Sequence, residues 1–180
     1  MISVKSWENN YKKKKRYNNY PFEFIIKYTF KFFPKPSKKI KCLDLGCGGG
    51  GCTKFLSDLG FDTFGVDGSR TAVKITQNKV KNKKQIIIGD FKNLKFKKNF
   101  FNYIIDRNSL THNNEKDINI IIDNVYRVLK KDGLFISSIF STYHHDKKFG
   151  EKIKGFNNSY QSFRFGTFKH TPVTYFASKK

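Results

Sequence analysis

Five glycines fall within six residues at positions 46–51, directly after a short apolar run of Ile40, Cys42, Leu43 and Leu45. An amphipathic segment carrying Thr53, Phe55, Leu56 and Leu59 follows and stops at Gly60. The pattern predicts a strand, a tight glycine turn and a helix. Glycine lets a backbone turn sharply and lie against a ligand. The helix behind such a turn points its free N–H groups at whatever rests on the loop. The loop is therefore expected to cradle a polar or negatively charged part of a small molecule. A glycine turn that binds nothing is the bland alternative, but so many glycines weaken a fold and need a reason.

The chain repeats the strand-then-helix alternation. Residues 61–66 read as a second strand, and Ser69 as the N-cap of a helix running to about Lys81 with Ala72, Val73, Thr76 and Val80 inward. Residues 85–88 and 100–105 read as the third and fourth strands. Ile118, Ile121, Ile122, Val125, Val128 and Leu129 make a helical stripe, a turn is expected at 130–133, and 134–140 read as the fifth strand. Before the first strand, Pro21 opens a segment in which Phe22, Ile25, Ile26, Phe30 and Phe33 keep helical spacing up to Pro34 and Pro36. Short strands alternating with helices predict right-handed β-α-β units on a doubly wound parallel sheet. Ligands of such sheets bind beyond the carboxyl ends of the strands, where the strand order reverses. Acidic residues fall at those ends: Asp44 in the first strand, Asp67 after the second, Asp90 after the third and Asp106 after the fourth.

With 180 residues and no internal repeat or linker, one domain is expected. No apolar run approaches the roughly 20 residues of a membrane helix. The start lacks a secretory apolar core, so a cytoplasmic protein is the expectation. Cys42, Cys47 and Cys52 are odd in number and fit neither a disulfide framework nor a zinc pattern, so no metal site is expected.

The net charge of +22 comes from 36 Lys+Arg against 14 Asp+Glu. It reads either as a polyanion partner, nucleic acid or anionic lipid, or as compositional bias. Only five of the cations are arginine, and the lysines spread from Lys5 to Lys180, which favours bias. The densest run, residues 12–16, reads as a solvated helix face or as a phosphate contact, with Trp7, Tyr11, Tyr17 and Tyr20 interleaved around it.

The glycine turn satisfies two fingerprints. Gly46-x-Gly48-x-x-Gly51 matches dinucleotide sites. Asp44-x-Gly46-x-Gly48-x-Gly50 matches class I S-adenosylmethionine (SAM) methyltransferases. Residues 43–50, 65–69, 89–91, 101–106 and 128–134, as an ordered set, resemble the methyltransferase type 11 group of that class. The resemblance covers about residues 40–140 and is specific as a set, though no single piece is.

It implies a Rossmann-like sheet and SAM as cofactor. By matching position, the backbone from Gly46 through Cys47 and Gly48 to Gly50 would approach the amino-acid portion, with Asp44 holding the loop or meeting the ammonium. Asp67 would accept from both ribose hydroxyls, bordered by Gly68 and Ser69. Asp90 would accept from the adenine amine, with Phe91 beside the ring. Asp106, Arg107 and Asn108 would line the floor near the methyl group. Trp7 and Tyr11 are candidates to close the pocket, where a sulfonium near an aromatic face is favourable; ordinary helix packing is their alternative. His112 is the candidate base, or a structural or substrate-contacting residue, and His144 and His145 are weaker candidates for the acceptor pocket.

Asp106-Arg107-Asn108-Ser109 lacks the prolines of exocyclic base-amine methyltransferases, and no Pro-Cys nucleophile is present. The resemblance therefore favours O- or N-methylation of a small molecule, a sugar or other metabolite, with nucleic acid not favoured. Residues 147–171 read as an insert, and 171–180 as the approach to the next helix. The final helix and two strands of the usual fold are then expected to be missing, leaving an apolar sheet edge open to self-association. The resulting domains are 1–39, a basic and aromatic segment with a helix; 40–142, the SAM-binding core; and 143–180, the acceptor side with an incomplete C-terminal part. The competing reading is a non-catalytic remnant of the fold, or a basic module touching RNA through residues 12–16.

Overall fold

The computed structural model describes residues 2–13 and 19–179. Lys14, Lys15 and Arg16 of the basic run, and Tyr17 beside it, lie outside the described residues. Five parallel strands form the central sheet: β1 (Lys41–Leu45), β2 (Asp62–Asp67), β3 (Ile86–Ile88), β4 (Phe101–Arg107) and β5 (Leu129–Ser138). Their order is β3-β2-β1-β4-β5, so the direction of winding reverses between β1 and β4. Leu43 pairs with Phe64 on one side and Ile104 on the other.

Side chains alternate across each strand, and both faces of the centre are covered. Leu43, Leu45, Val66, Phe101 and Ile104 pack with Ile121, Val125 and Val128 of α5 (Glu115–Val128). Cys42, Tyr103 and Ile105 face the other way, onto Ile25 of α2 (Glu23–Phe32) and Leu56 of α3 (Gly51–Asp58). The Tyr103 hydroxyl meets Thr29 Oγ1 at 3.1 Å in the interior, which pins α2 to β4. Asp44 shares the parity of Cys42, so its carboxylate is buried on the α2/α3 side.

Several boundaries differ from the sequence reading. In α2 the N-cap is Phe22, with Pro21 ahead of the helix. Only Ile25 and Thr29 of that helix are buried, while Ile26 and Phe30 face outward. The helix α4 (Arg70–Gln77) begins at Ser69 as expected, with the Ser69 hydroxyl accepting from Ala72 N at 3.1 Å, but it stops short of Lys81. Val80 is nevertheless buried, packing from the turn that follows. Ile122 is exposed, and Leu129 belongs to β5 rather than to the α5 stripe. The expected turn at 130–133 survives as a bulge inside β5: Phe101 pairs with Leu129, Tyr103 with Leu134, and Asp132 takes φ 61° between them.

After β5 the chain builds a small antiparallel sheet from β6 (Glu151–Lys152), β7 (Ser159–Gln161) and β8 (Thr174–Tyr175). This corrects the expectation of a helix approach at 171–180. Thr174 and Phe176 are buried on one side and Tyr175 is half-buried, a two-residue period that suits a strand. Phe163, Phe168 and Phe176 form its core against Phe140 and Tyr160. Glu115 fastens the unit to α5 by accepting from Asn157 N (3.1 Å) and Asn158 N (2.7 Å). Thr111 Oγ1 donates to Tyr175 O at 2.6 Å. No strand covers the outer edge of β5 among the described residues.

The first helix, α1 (Ile2–Lys12), carries Val4, Trp7 and Tyr11 at helical spacing. That stripe faces the carboxyl ends of β1 and β2. Among the described residues no helix is long and apolar enough to cross a membrane.

Candidate functional site

A cavity of about 850 Å³ opens at the carboxyl ends of the strands, at the reversal between β1 and β4. Its floor is the glycine turn. Gly46 N and Cys47 N donate to Val66 O at 2.8 and 3.1 Å, which folds the turn over β2. Thr76 Oγ1 and Lys79 Nζ donate to Gly48 O and Gly49 O at 2.9 and 2.6 Å. Gly46 and Gly48 adopt left-handed φ of 81° and 51°, and a Cβ on Gly48 would sit 2.5 Å from the Tyr11 hydroxyl. Only glycine lets α1 lie this close to the loop.

Asp44, Asp67 and Asp90 all reach the cavity wall. Asp44 accepts from Thr53 Oγ1 at 2.6 Å. Asp67 accepts from Gly48 N (3.0 Å) and Ser69 N (2.8 Å), tying the glycine turn to the start of α4. Burial pushes both carboxyls up to about 6, against the opposing pull of these bonds. Asp90 accepts from Lys92 N at 2.9 Å, capping a short turn that presents Phe91 to the cavity. Cys47, Gly68 and Ser69 also line it.

Asp106 and Gly50 are different. Asp106 is fully buried behind the wall, where its carboxylate accepts from Ser109 N, Leu110 N and Ser137 Oγ. It braces the loop after β4 and does not face the cavity, so the expectation that it lines the floor is corrected; burial pushes this carboxyl up to about 6 as well. Gly50 is the left-handed cap of α3, packed on Thr76.

Arg107, Asn108 and His112 follow β4 onto the wall. The Arg107 guanidinium lies over the Phe22 ring at 4.3 Å, and the His112 ring packs 4.8 Å from Trp7. His144 and His145 do not reach the cavity. His144 is held among Phe140, Phe168 and Phe176, and His145 sits outside beside Asp146, which corrects their reading as acceptor-pocket residues.

The far wall was not visible in the sequence. Phe140, Thr167, Phe168 and Val173 close the cavity from the small sheet and its loops. Glu8 was missed too, although it stands beside Trp7 on the helix that carries the 4-7-11 stripe. Its carboxylate accepts from Ser69 Oγ (2.7 Å), Thr71 N (3.1 Å) and Thr71 Oγ1 (2.6 Å), latching α1 onto the start of α4. Desolvation pushes this carboxyl up, but the bonds from Thr71 and Ser69 and the charge of Lys12 prevail and hold it at about 2. The latch therefore stabilises fully above the ordinary value of 4.5 and is lost as pH falls toward 2. Glu8→Ala is expected to lower amide hydrogen-exchange protection of α1 by about tenfold or more, as charge-assisted bonds of this type are worth roughly 1.5–3 kcal/mol. Unchanged protection would show that Trp7 and Tyr11 hold the helix alone.

A family model described as a methyltransferase domain matches residues 43–137, the stretch that builds the sheet and the glycine turn. The ubiquinone biosynthesis O-methyltransferase of Pelagibacter ubique (strain HTCC1062) is 32% identical over 152 residues, covering 78% of this chain and 62% of its own length. A crystal structure of a Pyrococcus horikoshii OT3 protein is 33% identical with a TM-score of 0.57, over 64% of this chain and 54% of that one. A SAM-dependent methyltransferase structure from Methanosarcina mazei shares the fold at 18% identity and a TM-score of 0.68, over 88% and 79%. The chain thus spans less than two thirds of the length of the curated relative it matches. On its sequence and its strand order, the chain belongs to the methyltransferase domain family of class I SAM-dependent methyltransferases.

Proposed function

We propose that this chain binds SAM in the cavity and transfers its methyl group to a hydroxyl of a small-molecule acceptor. The observation that carries the reading is the convergence of Asp44, Asp67 and Asp90, from three successive strand ends, on one cavity floored by the glycine turn. These residues fit the ligand: a cation with an ammonium, two ribose hydroxyls and an adenine amine offers donors, and the wall offers carboxylates. In this reading Asp67 takes the ribose, Asp90 and Phe91 the adenine, and Gly46, Cys47, Gly48 and Asp44 the amino-acid end. Gly68 and Ser69 border the ribose, Gly50 and Asp106 hold the loops in shape, and Trp7 and Tyr11 cover the site.

SAM supplies an electrophilic methyl group on a sulfonium. The chain contributes alignment and exclusion of water, which carry most of the rate in such a displacement. A hydroxyl acceptor also has to lose its proton, and His112 is the wall residue suited to take it. The aromatic side chains of Phe140, Phe168 and Trp7 in the cavity wall suit a flat ring as the body of the acceptor. The domain division follows: residues 40–142 carry the cofactor, 143–180 the acceptor side and 1–39 the cover. An O-methyltransferase among the relatives supports the choice of oxygen.

The pH dependence of binding is expected to follow the carboxylates. A cationic ligand favours their ionised forms, so SAM affinity is highest well above pH 6 and is lost as pH falls through it. The loss from pH 7 to pH 5 is about tenfold for each carboxylate that must ionise, read by calorimetric titration. The reading as a whole is tested by titrating the chain with SAM and NAD, then by following labelled methyl transfer to a panel of phenols and sugars. SAM binding with transfer to a hydroxyl supports it. A folded chain that binds no SAM overturns it and leaves a non-catalytic or RNA-binding role.

A further inference from the structure

Among the described residues six charged side chains line the cavity, and five of them are engaged within the protein. Asp44 holds Thr53, Asp67 holds two backbone N–H groups, and Asp90 holds Lys92 N. Lys92 and Asp117 pair with each other at 3.2 Å. Arg107 is the sixth. It is half-buried, and among the described residues no carboxylate lies within 4 Å of its guanidinium. It lies over the Phe22 ring, and its charge reaches Asp44 from beyond ion-pair distance.

A guanidinium resting over a ring still has N–H donors for other partners, and its planar fork matches a carboxylate in paired fashion. A partly desolvated cation with no carboxylate in contact is costly: Asp44 attracts it only from beyond ion-pair distance and is itself held by Thr53. We infer that Arg107, steadied by Phe22, is the carboxylate-recognition residue of this cavity, and that a ligand bound there brings a carboxylate to it. The inference rests on the proposed function. Two ligands can supply that group: the methionyl end of the cofactor, or an acidic acceptor seated against the aromatic wall.

Paired probes separate the two sources. The first pair is SAM and decarboxylated SAM. The second, with S-adenosylhomocysteine present, is para-hydroxybenzoate and its uncharged amide. Binding of each is measured by titration on wild type, Arg107→Met and Arg107→Lys, with thermal unfolding to establish that each variant is folded. Wild type is expected to prefer the carboxylate member of one pair by about tenfold or more, the worth of a charge-assisted bond. Arg107→Met erases that preference, and Arg107→Lys, which keeps the charge and loses the fork, retains part of it. Preference within the first pair assigns the cofactor's carboxylate; preference within the second assigns the acceptor's. If wild type shows no preference in either pair, or Arg107→Met keeps it unchanged, the inference is overturned. Failure of wild type to bind SAM at all overturns the proposed function itself, a separate outcome.

Discussion

Asp67→Ala is expected to weaken SAM binding by about a hundredfold or more. The carboxylate already accepts from Gly48 N and Ser69 N, so it shapes the floor while also lining the cavity. Alanine removes both the acceptor proposed for the ribose hydroxyls and the tie that holds the glycine turn to α4. Two hydrogen bonds to a charged group, at roughly 1.5–3 kcal/mol each, set the scale. Stability of the free protein should move much less. The two N–H groups lose their partner, but a carboxyl raised to about 6 by burial is also removed from the interior. Asp67→Asn keeps an acceptor without the charge and should fall between. Titration gives the affinity and thermal unfolding gives the stability. An alanine variant that binds within about threefold of wild type would remove Asp67 from the site.

Gly46→Ala acts on the fold instead. Gly46 sits at φ 81°, a conformation that costs an L-residue roughly 1–2 kcal/mol. Its Cβ would also overlap Ser109 Oγ on the loop after β4. Overpacking of this kind costs typically 1–3 kcal/mol. The sum, about 3 kcal/mol, corresponds to a fall in Tm of about 6–12 °C for a domain of this size. The double variant Gly46→Ala with Ser109→Gly should recover the steric part and leave the backbone part. A single variant that melts with wild type would show that the two loops are not in contact in solution.

The sheet and its floor were legible because both rest on local rules. Alternation gave the strands, Ser69 gave a helix start, and an acidic residue at each strand end pointed to one crevice. Errors came where tertiary packing decides. Ile26 and Phe30 keep helical spacing but stay exposed, Phe30 touching only the edge of the core through Phe55, so periodicity overstated the packing of α2. Asp106 looks like its fellows in sequence, yet three donors from its own loop and from β5 turn it inward. The far wall was invisible because Phe140, Phe168 and Val173 are brought together by a small sheet whose strands are two or three residues long, too short for a periodic signal. Glu8 acts on residues 61 and 63 positions away, and no local pattern records such a pairing.

The hydrogen bond from Ser6 Oγ to His170 O, with Asn10 beside it on the same oxygen, joins residues 164 positions apart. These bonds connect the helix covering the glycine turn to the loop that carries the far wall. Loop closure over such a separation is slow, and contacts of this kind form late. The central sheet can therefore be complete while the crevice is still open. Gain of cofactor binding during refolding should lag behind burial of Tyr103 and the strands around it. In a chain still being synthesised, competence to bind would arrive only after the segment around His170 has left the ribosome.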